Sequence, residues 1–192
     1  MLKTALVIVV FAGVGSANVI EDFEGFVDTA DLNGSITGTT ANASASLDST
    51  GGVGGSKGMV FQGNNGVNPF FSVVNLDIPD VSLDGVESIV FSARFLGGSN
   101  ELLELQLVDE FGGVLIAQQF AGTQSIPTSS FQDFSIDTSG LSAGFSVLRF
   151  AYSARDFGTT SVVIDDVRAV VPAAPTVAMA GMGLLAFGRR RR

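Results

Sequence analysis

Residues 88–95, SIVFSARF, alternate along their whole length. Ile89, Phe91, Ala93 and Phe95 fall on one side, with Ser88, Ser92 and Arg94 on the other. On a pleated strand a period of two puts one set against a core and the other toward solvent. The same pattern recurs on both sides of this stretch. Leu103, Leu105 and Leu107 alternate with Glu104 and Gln106; residues 109–113, DEFGG, read as a turn, and 114–120 return from it. Strands are further predicted at 57–62, 70–78, 131–136, 147–152 and 161–170, with a short one at 44–47 inside a Gly-, Ser- and Thr-rich stretch. Nowhere in this region is there a convincing 3.6-residue apolar period. The fold class expected is all-β, an antiparallel two-sheet jelly-roll sandwich of nine or ten strands.

Composition narrows the chemistry. The 192 residues contain no Cys, so no disulfide holds the fold. They contain no His, which closes the Ser-His-Asp and Cys-His nucleophile systems and His-ligated zinc. Five of the ten basic residues are Lys3 and Arg189–Arg192, so the middle of the chain sets five basic residues against all nineteen acidic ones. Such a body stays soluble, repels nucleic acid and other polyanions, and offers carboxylates to divalent cations.

The two ends read differently. Residues 1–17 have one Lys, an apolar run over 4–14 and small residues at Gly15 and Ala17, the layout of a signal peptide for the export machinery and signal peptidase. Residues 172–192 hold Pro172 and Pro175, an apolar helix candidate over 176–187, and Arg189, Arg190, Arg191 and Arg192. Twelve helical residues cover about 18 Å, short of a hydrocarbon core of about 30 Å. Because Arg is costly to move through lipid, the basic end is expected to stay inside and the body between, 18–171, outside.

This order of parts resembles the PEP-CTERM sorting signal, with two alanines where that signal has a Glu between its prolines. The resemblance implies processing by an exosortase-type membrane transpeptidase and delivery to the cell envelope, cell surface or extracellular matrix, with transient or permanent membrane anchoring. A plain short anchor and a basic arm on anionic lipid are the alternatives.

The body opens with Glu21-Asp22-Phe23-Glu24, closes with Val163-Ile164-Asp165-Asp166-Val167-Arg168, and carries Gly54-Gly55-Ser56-Lys57-Gly58-Met59 between. This spacing resembles the jelly-roll modules of the galactose-binding-like, carbohydrate-binding type. The resemblance implies a structural Ca2+ where first and last strands approach, held by Glu24, by Asp165 or Asp166, and by carbonyls near Ser56 and Lys57. Solvated acids, or one paired with Arg168, are the alternative. For sugar binding Arg94, Arg149 and Tyr152 are the candidates, although Arg149 and Tyr152 lie on opposite sides of their strand and a core Tyr with surface Arg residues would look the same. Phe70, Phe71, Phe111 and Phe157 sit beside turn residues and are the aromatics expected outside the core. Carboxylate pairs for glycoside hydrolysis are available among nineteen acids, but no pair is marked. The expected function is that of an exported, non-enzymatic surface or matrix protein; the alternative is a carbohydrate-binding module for adhesion or extracellular polysaccharide capture.

Overall fold

The structure, a computed structural model, describes residues 16–64, 71–153 and 158–172. Most of the expected signal peptide, Phe70, Phe157, and the tail with Pro175 and Arg189–Arg192 lie outside the described residues. In chain order the elements are β1 (Ser16–Glu21), α1 (Thr29–Gly34), β2 (Ile36–Thr39), β3 (Ala43–Asp48), β4 (Gly58–Asn64), β5 (Phe71–Ser82), β6 (Ser88–Gly98), β7 (Leu102–Val108), β8 (Val114–Gly122), β9 (Gln132–Asp137), β10 (Gly144–Ser153) and β11 (Thr159–Val171). Among the described residues no helix is long and apolar enough to cross a membrane.

The strands form an antiparallel two-sheet jelly roll. One sheet runs β3-β4-β11-β6-β9 with β1 also on β11; the other runs β2-β5-β10-β7-β8. The alternation that predicts β6 is what packs the sheets together. Ile89, Phe91, Ala93 and Phe95 are buried against Leu103, Leu105 and Leu107 of β7 and Leu148 and Phe150 of β10. Phe91 is the hub: its ring centroid lies 5.3–5.9 Å from those of Phe120, Phe134 and Phe150, spacings at which aromatic rings attract beyond their area alone.

Two strands and a helix exceed the sequence expectation. β1 begins where the signal peptide was expected to end, and β2 lies in the polar stretch. The helix α1 is one and a half turns stabilised at its start by two aspartates. Asp28 Oδ1 accepts the Asp31 N–H at 2.9 Å, and Asp31 Oδ2 accepts the Val27 N–H at 2.9 Å, a reciprocal cap. Its single buried residue, Leu32, docks it on the core, which is too little for a helical period to show in the sequence.

Tyr152 belongs to this core. It is fully buried, its ring stacks on Phe61 of the opposite sheet at 4.1 Å and 1°, and its hydroxyl donates to the Phe61 carbonyl at 2.8 Å. The sugar-binding role considered for Tyr152 is therefore corrected. On β10 its neighbours alternate, and the side that takes Leu148 and Phe150 inward takes Tyr152 with them. Replacing Tyr152 by Phe removes the hydroxyl's hydrogen bond to the Phe61 carbonyl and should lower stability by about 1 kcal/mol; Tyr152→Ala should cost about 3–5 kcal/mol. Urea denaturation midpoints measure both, and a neutral Tyr152→Ala would contradict the core assignment.

Candidate functional site

Two polar assemblies stand out. The first is at the joint between the first and last strands. β11 pairs with β4 up to Ile164 and with β1 from Val167 onward. Between them Asp165 and Asp166 form a bulge, where the register with β6 also shifts. Asp166 adopts φ 52°, a left-handed conformation that Asp tolerates better than most residues. The bulge turns Asp165 into the chain segment before β4. Its Oδ2 accepts from the Val53 N–H (2.7 Å) and the Ser56 hydroxyl (2.8 Å), and its Oδ1 accepts from the Asp166 N–H (2.7 Å). A Cβ on Gly52 would lie 2.2 Å from the Lys57 carbonyl oxygen and 2.6 Å from both Asp165 Oδ2 and Ser56 Oγ, so this loop closes on Asp165 only with glycine there. Glu24 joins from the first strand's end: its Oε1 accepts the Lys57 N–H at 2.7 Å, while Lys57 Nζ donates to the carbonyls of Glu24 (3.0 Å) and Phe26 (2.7 Å).

Glu24, Ser56, Lys57 and Asp165 are thus brought together. Asp166 is not with them; it pairs with Arg168, which also reaches Asp133 at 2.6 Å. Burial pushes the carboxyls of Asp165 and Glu21 above the usual carboxylate range, helped in each case by a neighbouring acid: Asp166 for Asp165, Asp22 and then Asp165 for Glu21. The donors are oxygens, as a hard cation requires. Among the described residues, however, no group of three or more acidic side chains is placed to hold a metal ion.

The second assembly is on the outer face of the five-stranded sheet. Inward residues such as Val74, Leu76, Leu105, Leu107, Leu148 and Phe150 fill the core, so their neighbours in sequence face out. The register lines up one outward row across all five strands: Gly38, Asn75, Arg149, Gln106 and Ala117. Beside it run Val73, Ala151, Glu104 and Gln119.

Arg149, on the central strand, donates from Nε to Asn75 Oδ1 at 2.8 Å and from an NH1 hydrogen to Gln106 Oε1 at 3.1 Å. Gln106 in turn donates to Glu104, which also accepts from Gln119 at 3.0 Å. The small residues Gly38 and Ala151 leave a recess of about 390 Å³ over this strip, bordered at one end by the half-exposed Phe71. A Cβ at Gly38 would come within 2.8 Å of the Asn75 amide and crowd that side chain.

Arg94 is elsewhere. It lies on β6 in the other sheet, donates to the Gly51 carbonyl at 3.0 Å and sits 5.4 Å over the Phe131 ring. Arg94, Arg149 and Tyr152 therefore do not form one site; of the three, Arg149 reaches the recess. Asn75, Gln106, Glu104 and Gln119 are the residues that sequence reasoning missed. Their signal was present in part, because Glu104 and Gln106 are the polar members of a clean alternation. Phe111 is nearly fully exposed on the β7–β8 turn, away from the strip.

No protein-family model matches the chain, and no curated protein sequence is similar to it. Solved structures are similar to it in fold. An exo-β-agarase aligns over 82% of this chain with 16% identity and a TM-score of 0.61. A family 11 carbohydrate-binding module from Clostridium thermocellum, in complex with a β-1,3-1,4-mixed-linked tetrasaccharide, aligns over 83% of this chain with 16% identity and a TM-score of 0.54. An arabinose-bound α-L-arabinofuranosidase aligns over 81% with 12% identity and a TM-score of 0.55. The chain spans 26% of the agarase and of the arabinofuranosidase, but 97% of the binding module. The shared element is the jelly roll.

Proposed function

We propose that this domain is a non-catalytic carbohydrate-binding module that takes a polysaccharide along the outer face of its five-stranded sheet. The observation that carries the reading is the outward row from Gly38 to Ala117. Side-chain amides and a guanidinium face a shallow recess there, and such groups exchange hydrogen bonds with sugar hydroxyls. The fold shared with a binding module over nearly that module's whole length supports it. Glu104, the strip's carboxylate, is 5% exposed and tied to two glutamines, an arrangement that fixes side chains rather than moves protons. In affinity gels loaded with neutral and acidic polysaccharides, at least one gel should retard the protein. Asn75→Ala with Gln106→Ala should weaken that retention about tenfold. No retardation in any gel, or full retardation of the double variant, overturns the reading.

The export reading of the sequence belongs to this proposal. A surface or matrix location puts the strip where polysaccharide is found, and the tail supplies delivery. The mature surface-held chain is then expected to lack Arg189–Arg192, which C-terminal mass spectrometry reads directly; an intact Arg192 there means a permanent anchor.

A structural Ca2+ at the Asp165 joint completes the proposal. The carboxylates of Glu24 and Asp165 and the carbonyls of Ser56 and Lys57 would hold it, and the ion would supply folding stability, relieving the acid–acid repulsion. Excess CaCl2 over EDTA should raise the melting temperature by several degrees at about pH 7. The gain should shrink toward about pH 4, because the carboxylates must be ionised to bind the ion. Coincident melting curves with Ca2+ and EDTA remove it.

A further inference from the structure

Arg149 holds a position that a neutral ligand does not explain. A guanidinium has five N–H donors. The bonds to Asn75 and Gln106 use two, and both accept through neutral amide oxygens. The ion pairs among the described residues are Arg168's; Arg149 has no carboxylate at that distance. The other cationic side chains among the described residues are occupied differently, Lys57 by backbone carbonyls and Arg94 by a carbonyl and a ring. Yet Arg149 is half-buried at the centre of a sheet, in a chain with almost twice as many acidic as basic residues. A partly desolvated charge normally finds a counterion. The acids nearest along the strip are engaged: Glu104 by two glutamines, and Asp77, one strand over, by the Thr37 hydroxyl at 2.9 Å.

We propose that the counterion is the ligand's own carboxylate, so that the recess selects a uronic-acid unit within an acidic polysaccharide. This rests on the sugar-binding reading and names the class of sugar. The planar guanidinium keeps three N–H groups for the ligand, enough for the two parallel bonds that a planar carboxylate accepts. Asn75 and Gln106 hold the guanidinium plane fixed, and their free amide N–H groups serve the adjacent hydroxyls. The acidic body opposes a polyanion at long range. At physiological salt the Debye length is about 8 Å, so distant acids are screened while a contact inside the recess is not.

The test is calorimetric titration of the folded protein with short oligogalacturonate and oligomannuronate, and with the same oligomers after their carboxyls are reduced to alcohols. One uronate should bind at least about tenfold tighter than its reduced form. Arg149→Gln should abolish that preference, and Arg149→Lys, which keeps charge without the fork, should restore part of it. The comparison of native with reduced sugar uses the unaltered protein and holds even if a variant fails to fold. Equal affinity for both forms, a preference that survives Arg149→Gln, or tighter binding of a sulfated oligosaccharide overturns the proposal. Binding of reduced or neutral sugars without preference leaves the carbohydrate reading standing, whereas binding to no sugar removes both.

Discussion

A thirteen-residue strand flanked on one edge by a seven-residue partner must find a second partner or leave backbone groups exposed to the core. β11 is that strand. It takes β4 along its first half and β1 along its second, and the changeover falls on Asp165 and Asp166. Unpaired N–H groups at such a joint would be costly. The Asp165 carboxylate answers two of them, those of Val53 and Asp166, and anchors the loop leading into β4. The cost is a 2% exposed acid beside others, visible as a carboxyl pushed up by burial. The first and last strands and the Gly52–Lys57 loop meet at this contact.

The outer strip follows from the core by parity. Leu148 and Phe150 go inward on β10, so Arg149 between them must go outward, and a one-residue slip would exchange the two sets. The same holds for Gln106 between Leu105 and Leu107, and for Asn75 between Val74 and Leu76. The apolar packing thus sets which polar groups meet, and the strip inherits its rigidity from the sheet beneath it. A site on strands keeps its geometry better than one on loops.

This explains how far the sequence could be read. Alternation at 88–95 and 103–107 reveals strands and their inward faces because it is a local property, and the buried Ile89, Phe91 and Phe95 match it. The resemblance points to Glu24, to Asp165 or Asp166, and to carbonyls near Ser56 and Lys57; in the structure Asp165 accepts from Ser56 and Glu24 from the Lys57 N–H, while Asp166 pairs with Arg168. The strip was not legible in the sequence. Arg149 meets Asn75 and Gln106 across 74 and 43 residues of chain, and which strand lies beside which is fixed by sheet order, to which the periodicity of one strand is blind. For Tyr152 the sequence leaves both a ligand-binding and a core position open, and the Phe61 carbonyl that accepts from its hydroxyl places it in the core. α1 escaped because its helicity comes from capping rather than from an apolar period.

The distribution of aromatic rings bears on how such a strip can bind. With no disulfides and no Trp, the chain has sixteen Phe and one Tyr for both core and surface. Phe23, Phe61, Phe91, Phe134, Phe145, Phe150 and Tyr152 are buried in the sandwich, where each stabilises the fold by far more than an exposed ring would. Phe71 remains at the edge of the recess. A face that shows one ring among its described residues, and many hydrogen-bonding groups, depends for the proposed binding on direction and charge more than on stacking. Removing a matched polar group from a ligand then leaves buried partners unpaired, a larger loss than trimming an apolar contact. The recognition proposed for this face is thus selective more than strong, and it turns on Arg149, which has no carboxylate partner among the described residues.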